Sequence, residues 1–365
     1  MDKIRLATVF SGIGAIEYAL KKQNIPFEIV FACDNGERIL SQSKEDVLNY
    51  ANESKLSHKE LQLYVKNLYK QTKKINYVKE SYFANYSIRE EQWYEDIRYI
   101  DGNIFNNKVD LFVGGSPCQS FSNMGKRGGL EDTRGTLFYE FARLVKEIQP
   151  KVFIYENVPG MLNHDGGNTW EVIKNVFFDL GYKINFSILN SKDYGIPQNR
   201  KRLYVVGFKD LSLKFSFPKA ISLNETMFNY LDKAVEPCFY LGKKGFAFVS
   251  HNKDRARINE NIIRTQKANQ QFNWNGDFVF IKDNEIKNLE EIKSRAYFGF
   301  YNGEHGVIRQ LTPRECLRLM GYNDSFKIVV PNVQMYRQSG NSIVVNVFEN
   351  ILKEIIATGV FNENN

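Results

Sequence analysis

Long apolar runs and cysteines are scarce in this chain. No stretch approaches the roughly 18 consecutive apolar residues of a membrane-spanning helix, so no membrane partner is expected. The four cysteines, Cys33, Cys118, Cys238 and Cys316, have neither Cys-x-x-Cys spacing nor the pattern of a disulfide framework. Near the N-terminus, two glycines and Glu17 interrupt the only stretch that resembles a signal peptide. We therefore predict a protein of the reducing cytoplasm with no metal site.

The composition is that of a folded protein with a mild excess of positive charge. Hydrophobic residues make up 43% of the chain and aromatic residues 14%, which excludes a disordered protein. The formal net charge is +7 and the pI is about 8.9. That balance suits a polyanionic partner without requiring one. A length of 365 residues is enough for two domains, or for one large domain with an insertion.

Apolar runs alternate with helical patterns through residues 1–207. The predicted strands are residues 5–10, 28–33, 110–113, 152–155, 183–189 and 203–207, and helical patterns include residues 137–148 and 168–180. This alternation predicts an α/β fold with a doubly wound, mostly parallel sheet. The alternation is lost over residues 208–310, which predicts a separate, mostly irregular or β domain. Residues 311–365 are predicted to return to the first domain and to end in an apolar helix.

Residues 41–94 interrupt the α/β pattern. They are rich in Lys, Tyr and Asn, yet apolar residues recur at roughly helical spacing, which predicts a helical insertion. Two roles stay open for it. It is either a solvated surface segment or a contact to a nucleic-acid backbone through four lysines, which are Lys66, Lys70, Lys73 and Lys74.

The tetrapeptide Ser116-Pro117-Cys118-Gln119 is the most informative local feature. It follows an apolar run, residues 109–113, and the pair Gly114-Gly115, which together indicate a buried strand ending in a turn. A cysteine there would lie at the carboxyl edge of the sheet, where α/β proteins bind ligands, and Pro117 would restrain its backbone. A lone cysteine is more often a small buried hydrophobic residue, so the assignment depends on further motifs.

Three segments suggest a nucleoside site. Phe10-Ser11-Gly12-Ile13-Gly14 follows the first predicted strand, and glycines there let the backbone approach a ligand, although the spacing is not that of a dinucleotide motif. Asp34 follows the second strand and could bind ribose hydroxyl groups or cap a helix. Asp96, beside Glu95 and Ile97, could accept from an adenine amino group or be a surface charge.

Acidic and basic residues mark two further strand ends. Glu156 follows the strand at 152–155, where a partly desolvated carboxyl group could stay protonated and donate to a ring nitrogen, or could serve as a cap or ion-pair partner. Arg200 and Arg202 alternate along an extended segment, so they are predicted to share a face and to contact a base carbonyl and a phosphate. The alternative is an ordinary basic loop.

Taken in order, these motifs resemble the cytosine-5 DNA methyltransferase family, and almost the whole chain takes part. Two departures are minor: Ser116 stands where Pro or Phe is more common, and the 41–94 insertion is longer than in the smallest bacterial members. The resemblance implies a Rossmann-like methyltransferase sheet of seven strands with a smaller target-recognition domain at residues 208–310. The matching segments are Phe10–Gly14, Asp34, Asp96-Ile97, Gly115–Ser122, Asp132–Phe138, Glu156–Val158, Gln198–Arg202, Arg309–Cys316 and Gln338–Ser342.

The resemblance also implies a mechanism, with S-adenosylmethionine as the cofactor and double-stranded DNA as the substrate. In the family's mechanism the Cys118 thiolate adds to C6 of a cytosine that has been flipped out of the duplex. Glu156 meets N3, Arg202 holds O2, and Arg200 lies near the sulfur or a phosphate. C5 takes the methyl group, a base removes the C5 proton, and Cys118 is eliminated. The sequence identifies no residue as that base, and a water molecule could serve.

The same resemblance assigns binding residues. The expected cofactor-binding residues are Phe10, Ser11, Gly12, Ile13, Gly14, Asp34, Asn35, Asp96, Ile97, Gly114, Pro117, Leu137, Asn341 and Ser342. The loop from Gln119 to Thr136 is expected to close over the flipped base. The expected DNA-binding residues are Gln119, Ser120, Ser122, Lys126, Arg127, Arg134, Lys253, Arg255, Arg257, Gln266 and Lys267. The last five of these residues are Lys, Arg and Gln, whose side chains suit base edges, although such a mixture is also ordinary in loops.

Two other functions are compatible with parts of the pattern. A tRNA cytosine-5 methyltransferase would share the catalytic core, but the long variable region at 208–310 favours DNA. A catalytically inactive DNA-binding protein is disfavoured by the intact Cys118, Glu156 and Arg202. We expect a monomeric, bacterial, nucleoid-associated cytoplasmic enzyme that releases S-adenosylhomocysteine. A cognate restriction endonuclease could exist in the same organism.

Overall fold

The computed structural model describes residues 3–116, 137–269, 274–287 and 289–362. The chain forms two compact units. The first unit comprises Met1–Leu189, Lys201–Lys219 and Phe348–Asn365, and the second comprises Asn190–Arg200 and Ala220–Val347. The predicted boundaries at residues 207 and 310 stay a prediction of domain organisation.

The strands of the described residues fall into one large and two small sheets. In chain order they are β1 (Ile4–Val9), β2 (Phe27–Cys33), β3 (Trp93–Tyr94), β4 (Leu111–Gly114), β5 (Val152–Asn157), β6 (Lys183–Asn190), β7 (Gln198–Asn199), β8 (Lys201–Phe208), β9 (Arg257–Ile258), β10 (Ile263–Arg264), β11 (Asp277–Lys282), β12 (Phe298–Tyr301) and β13 (Glu304–Gln310).

Most helices of the described residues lie between strands or in segment 41–94. In chain order they are α1 (Ala15–Lys22), α2 (Lys44–Glu53), α3 (His58–Gln71), α4 (Tyr77–Asn85), α5 (Leu137–Ile148), α6 (Asn168–Asp179), α7 (Lys243–His251), α8 (Leu289–Ile292), α9 (Pro313–Arg318), α10 (Asn332–Asn341) and α11 (Val345–Ala357). In the part of the chain that the structure describes, none of them is long and apolar enough to cross a membrane.

The seven-stranded sheet of the first unit has the order β3-β2-β1-β4-β5-β8-β6. Pairings β2·β3, β1·β2, β1·β4 and β4·β5 are parallel, and β8 is antiparallel to β5. Parallel strands that helices cover on both faces consist almost entirely of apolar residues. For this reason, these strands can be recognised in the sequence as apolar runs. The predicted α/β fold with a mostly parallel sheet is confirmed.

Aromatic side chains fill the core of the first unit between the sheet and its helices. Phe112 of β4 stacks on Phe141 of α5 with ring centroids 4.9 Å apart. Phe153 of β5 packs against Phe177 of α6 at 4.5 Å. These four side chains are fully buried. Rings of this size contribute strongly to stability, and here they hold α5 and α6 against β4 and β5.

The second unit has its own core around a four-stranded sheet of order β12-β13-β11-β9. Arg309, at the end of β13, donates two bonds of 2.8 Å to the carboxylate of Glu315 in α9. Both side chains are almost completely buried. Thr312 begins α9 by accepting from the Glu315 N–H at 3.2 Å. Residues 309–316, which match a motif of the family, thus include the start of α9, and a buried ion pair links this helix to β13.

Segment 41–94 is helical and belongs to the first unit. Ser43 and Ser57 begin α2 and α3 with capping boxes, and Asn76 begins α4. Each of these side chains accepts a bond from an otherwise unpaired N–H of the first helical turn. Lys66, one of the four lysines considered for a nucleic-acid contact, forms an ion pair with Glu90.

Candidate active site

One row of residues crosses five strands of the large sheet. Strand register aligns Tyr94 with Cys33, Cys33 with Val9, Val9 with Gly114, and Gly114 with Tyr155. The residues that follow this row are Glu95, Asp34, Phe10, Gly115 and Glu156. The segments predicted to hold cofactor and base therefore all begin at the same carboxyl edge, where parallel α/β sheets bind ligands.

The loop after β1 carries the predicted glycine turn. Phe10, Gly12 and Gly14 have φ values of 53°, 53° and 76°, in the left-handed region that favours glycine. The Ser11 hydroxyl accepts from the Cys33 N–H at 3.0 Å, which ties the loop to the end of β2. A Cβ added at Gly12 would meet no described atom within 4 Å, so the loop borders open space. Ile13 is buried beneath it.

Asp34 joins the loops after β1 and β2. Its carboxylate accepts from the Gly12 N–H at 2.9 Å and from the Gly36 N–H at 2.8 Å. Burial raises the pKa of Asp34, and these two backbone bonds oppose that shift. A carboxylate has about four acceptor sites, so capacity is left for ligand hydroxyl groups. The neighbouring Asn35 donates to the Arg38 carbonyl at 3.0 Å and so shapes the same loop.

Asp96 follows β3 and is heavily hydrogen-bonded. Arg98 donates to both carboxylate oxygens through its backbone N–H, Nε and Nη2, at 2.6–3.1 Å. The Tyr69 hydroxyl donates to Oδ2 at 2.6 Å. Only 4% of Asp96 is exposed, and the adjacent Ile97 is buried. A ligand amino group would have to share this carboxylate with Arg98.

Glu156 and Arg202 form an ion pair across β5 and β8. The antiparallel register sets Glu156 opposite Tyr204, which brings the start of β8 to the carboxyl end of β5. Arg202 Nε lies 3.1 Å from Glu156 Oε1, and the two side chains are 18% and 13% exposed. Arg202 Nη1 also donates to the Lys201 carbonyl at 2.8 Å. The pair is thus partly desolvated and partly open to a ligand.

A buried hydrogen-bond network holds the end of β4 against the end of β5. The Ser116 hydroxyl lies 2.6 Å from the Tyr155 hydroxyl, and Asn157 Nδ2 donates to the Ser116 carbonyl at 3.0 Å. A Cβ added at Gly115 would lie 2.7 Å from the Glu156 carbonyl oxygen, so only glycine permits this approach. The backbone that leads to Cys118 is therefore held beside Glu156 up to Ser116.

Several predicted site residues lie outside the described residues. They are Pro117, Cys118, Gln119, Ser120, Ser122, Lys126, Arg127 and Arg134. Leu137 begins the next described segment as the first residue of α5, and like Phe10 it packs against the core of the first unit. Gly114 ends β4.

The three described cysteines are poor candidates for a nucleophile. Cys33 and Cys316 are buried, and burial raises the pKa of each thiol well above its usual range. Cys238 is exposed, but partial burial and the nearby Glu236 also raise the pKa of its thiol. The thiolate is the reactive form, so these environments disfavour nucleophilic chemistry. Within the described ranges, no group of three or more metal-binding side chains is present either.

Arg200 and Gln266 differ from expectation. Arg200 belongs to the second unit and is 3% exposed, and its guanidinium donates to the Gln266, Gly340 and Ser342 carbonyls at 2.8, 3.1 and 2.7 Å. Gln266 is 1% exposed and donates to the Cys316 carbonyl at 3.2 Å. These contacts give both side chains a structural part inside the second unit, and their contacts to substrate stay a prediction.

The other predicted residues of the second unit lie nearer its surface. Lys253, Arg255, Arg257 and Lys267 are exposed, which a DNA contact requires. Arg255 lies over the Phe248 ring at 5.4 Å, and Arg257 pairs with Glu260 at 3.7 Å. Asn341 ends α10 and is exposed, whereas Ser342 is buried with its hydroxyl 2.9 Å from the Tyr322 hydroxyl.

The sheet order and the row of strand ends define the methyltransferase class of α/β proteins, and comparisons with known proteins agree. The C-5 cytosine-specific DNA methylase family matches residues 4–357. The type II methyltransferase M.HhaI of Haemophilus parahaemolyticus is 36% identical over 76% of this chain and 84% of its own. The orphan methyltransferase M.SPRI of Bacillus phage SPR is 28% identical, with full coverage of both chains. The Dnmt2 methyltransferase of S. pombe shares the fold, with a TM-score of 0.68 at 20% identity over 98% and 100% of the two chains.

The chain belongs to the C-5 cytosine-specific DNA methylase family. It is a DNA cytosine-C5 methyltransferase, an activity for which the family uses S-adenosylmethionine. Its relatives include type II methyltransferases of restriction-modification systems.

Sequence reasoning missed the residues that support the site. The sequence predicted no role for Tyr155 or Asn157, although Asn157 lies inside the matching segment Glu156–Val158. Tyr69, Asn76 and Tyr86 were also missed, because they lie in the polar segment 41–94. For the two tyrosines, the available signal was the abundance of tyrosine in this segment, since a buried tyrosine hydroxyl needs a hydrogen-bond partner.

Proposed function

We propose that this chain methylates C5 of a cytosine within a specific double-stranded DNA sequence, through covalent addition of Cys118 to C6 of the flipped base. The observation that carries the proposal is the Glu156–Arg202 pair, 3.1 Å apart at the sheet edge. Cytosine presents O2 and N3 side by side on one edge. A guanidinium beside a carboxyl group is complementary to that edge, because the guanidinium donates to O2 and the protonated carboxyl group donates to N3.

The proposed chemistry follows from this complementarity. The Cys118 thiolate forms a bond to C6, and negative charge moves towards N3, where Glu156 stabilises it. Arg202 keeps the ring in place through O2. S-adenosylmethionine, when bound, supplies the methyl group that C5 accepts. Loss of the C5 proton to a base then lets the C6–sulfur bond break. This step regenerates the free Cys118 and leaves 5-methylcytosine in the DNA strand.

The loops after β1, β2 and β3 suit the cofactor. The open space beside Gly12 leaves the backbone accessible, and Asp34 retains acceptor capacity for the ribose hydroxyl groups. Asp96 and Ile97 follow β3 at the same edge, where the adenine would bind. These are residues of one unit, and their chemistry matches the hydroxyl and amino groups of a nucleoside.

The second unit is the proposed site of target recognition. Its exposed Lys253, Arg255, Arg257 and Lys267 can donate to phosphates and to guanine acceptors in the major groove. The type II and orphan methyltransferases among the relatives suggest two settings, one with a cognate restriction endonuclease and one without.

Bisulfite sequencing of plasmid DNA from cells that express the protein tests the proposal. Methylated cytosines should resist conversion at every copy of one short sequence and at no other position. The plasmid from cells with a Cys118→Ser variant is the control. Uniform conversion of plasmid DNA, with methylated cytosine found instead in cellular RNA, would overturn the DNA assignment.

We expect Asp34→Ala to weaken cofactor binding and to leave DNA binding unchanged. The substitution removes an acceptor for the ligand and also the bonds to the Gly12 and Gly36 N–H groups. Such a loss costs about 1–3 kcal/mol, or roughly tenfold to a hundredfold in Kd. Titration calorimetry with S-adenosylhomocysteine measures it. Glu37→Ala, an exposed carboxylate of the same loop, is the matched control, and equal affinities for both variants would refute this assignment.

A further inference from the structure

Segment 41–94 contacts all three loops proposed to bind the cofactor. Tyr69 of α3 bonds to Asp96, Asn76 bonds to the loop after β2, and Tyr86 bonds to the glycine turn after β1. These three residues are 1%, 8% and 7% exposed. Segment 41–94, for which a solvated surface role was considered, therefore supports the proposed cofactor-binding loops through buried side chains.

Tyr69 contacts Asp96 through one short, buried hydrogen bond. The hydroxyl donates to Oδ2 at 2.6 Å, the same oxygen that accepts from Arg98 Nη2 at 2.6 Å. Burial raises the pKa of Tyr69, and the charge of Asp96 raises it further, so the phenol remains a donor. With Arg98 and Tyr69 both donating to it, the carboxylate is held in one orientation. Removal of the hydroxyl would leave Arg98 as its main partner.

Asn76 links the loops after β2 and β3. Its Nδ2 donates to the Asp34 carbonyl at 2.9 Å and to Glu95 Oε2 at 3.2 Å, while its Oδ1 accepts from the Lys79 N–H at the start of α4. Arg38 forms an ion pair with the same Glu95 carboxylate and lies over the Tyr69 ring at 4.7 Å. Asp34 and Asp96 are thus connected through Asn76 and Tyr69 of the segment together with Glu95 and Arg38, which flank it.

Tyr86, at the end of α4, supports the glycine turn. Its hydroxyl donates to the Gly14 and Ile13 carbonyls at 2.6 and 3.0 Å. The ring lies so close that a Cβ at Gly14 would come within 2.3 Å of it. Tyr82 of the same helix donates to the buried Glu17 of α1 at 2.6 Å. These bonds therefore hold the end of helix α4 against the C-terminal end of the turn and against α1.

We propose that segment 41–94 positions the cofactor-binding loops, and that Tyr69 is a positioning residue that acts on cofactor affinity through Asp96. The inference rests on the proposed function, since it takes Asp96 as the acceptor for the adenine amino group. The nucleic-acid contact considered for the lysines of this segment stays a prediction. The segment is polar on its outer face, whereas Tyr69, Tyr82, Tyr86 and Asn76 are buried.

The test compares Tyr69→Phe with Tyr64→Phe in the full-length chain. Tyr64 lies on the same helix and stacks on Tyr50 with centroids 4.6 Å apart. Tyr69→Phe should raise the Kd for S-adenosylhomocysteine roughly three- to tenfold, because it removes one hydrogen bond to a charged group. The Kd for duplex DNA should not change, and Tyr64→Phe should match the wild type in both measurements. Equal effects of the two variants, or a matching loss of DNA affinity, would overturn the inference.

A double-mutant cycle with Asp96→Asn separates positioning from general stability. If Tyr69 acts through Asp96, Tyr69→Phe should cause little further loss of cofactor affinity in the Asp96→Asn background. Full additivity of the two effects would contradict the inference. Should Tyr69→Phe not fold, Tyr86→Phe removes the bonds to the glycine turn and is expected to raise the cofactor Kd in the same way.

The two proposals can fail separately. If the wild-type protein methylates DNA while Tyr69→Phe and Tyr86→Phe bind S-adenosylhomocysteine as tightly as the wild type does, the positioning role is wrong and the proposed function stands. If the wild-type protein transfers no methyl group to DNA, the proposed function itself fails.

Discussion

Cys118→Ser should abolish methyl transfer and leave the protein folded. A serine hydroxyl is far less ionised than a thiol near neutral pH, so the bond to C6 should not form. We expect transfer of labelled methyl groups to fall below about a hundredth of the wild-type rate, since covalent activation of C5 depends on this nucleophile. The affinity for S-adenosylhomocysteine should stay unchanged, because the substitution exchanges a single atom and Cys118 is not among the expected cofactor-binding residues.

Cys238→Ser is the matched control for that experiment. Cys238 is the exposed cysteine among those that the structure describes, and it lies in the second unit. Its substitution should leave both turnover and melting temperature at wild-type values. A Cys118→Ser protein that still turns over, or a Cys238→Ser protein that does not, would move the nucleophile away from position 118.

Glu156→Gln should lower kcat by about 10²–10³-fold, the usual effect of removing one group that stabilises developing charge. The amide keeps the shape of the side chain, but it cannot deliver an acidic proton to N3 beside Arg202, which lies 3.1 Å from the carboxyl group. Because the loss falls on the chemical step, single-turnover rates should fall while the Kd for S-adenosylhomocysteine stays constant.

Glu171→Gln gives the comparison for Glu156→Gln. Glu171 pairs with Lys174 at 2.7 Å on the surface of α6, where its side chain is 63% exposed. Exposed ion pairs contribute little to stability, so this variant should behave like the wild type. If the single-turnover rate of Glu156→Gln stayed above about a tenth of the wild-type rate, Glu156 would not be the group that stabilises charge at N3.

The strands could be predicted because their burial leaves a clear trace in the sequence. β4 and β5 are covered by helices on both faces, so residues 110–113 and 152–155 had to be almost entirely apolar. The loops that follow such strands carry the polar residues of the site. This is why Asp34 and Glu156 could be located from their positions just after apolar runs.

The side-chain partners could not be predicted, because they come from segments far apart in sequence. Nothing near Asp96 in the chain indicates that Tyr69 would reach it, and nothing near Gly14 indicates Tyr86. Polar residues were also interpreted as exposed. Arg200 and Gln266 show the weakness of that inference, since backbone carbonyls inside a domain need donors and long polar side chains supply them.

Segment 41–94 illustrates the same limit. Its helical period was visible, and its helices begin at Ser43, Ser57 and Asn76, which are typical N-caps. Its inward-facing tyrosines acquire a role only through the loops they contact. Lys66, in contrast, is paired with Glu90, so a count of lysines overstates the positive charge that the segment offers to DNA.

The most direct test of the account is covalent capture of the protein on a DNA duplex that carries 5-fluorocytosine at the target position. Fluorine cannot leave C5 as a proton does, so the adduct should stall after methyl transfer. Mass spectrometry of the digested complex should find the methylated base attached to the peptide that contains Cys118, and the Cys118→Ser protein should give no complex. An adduct at any other residue, or wild-type protein that methylates cytosine yet forms no adduct, would contradict the account.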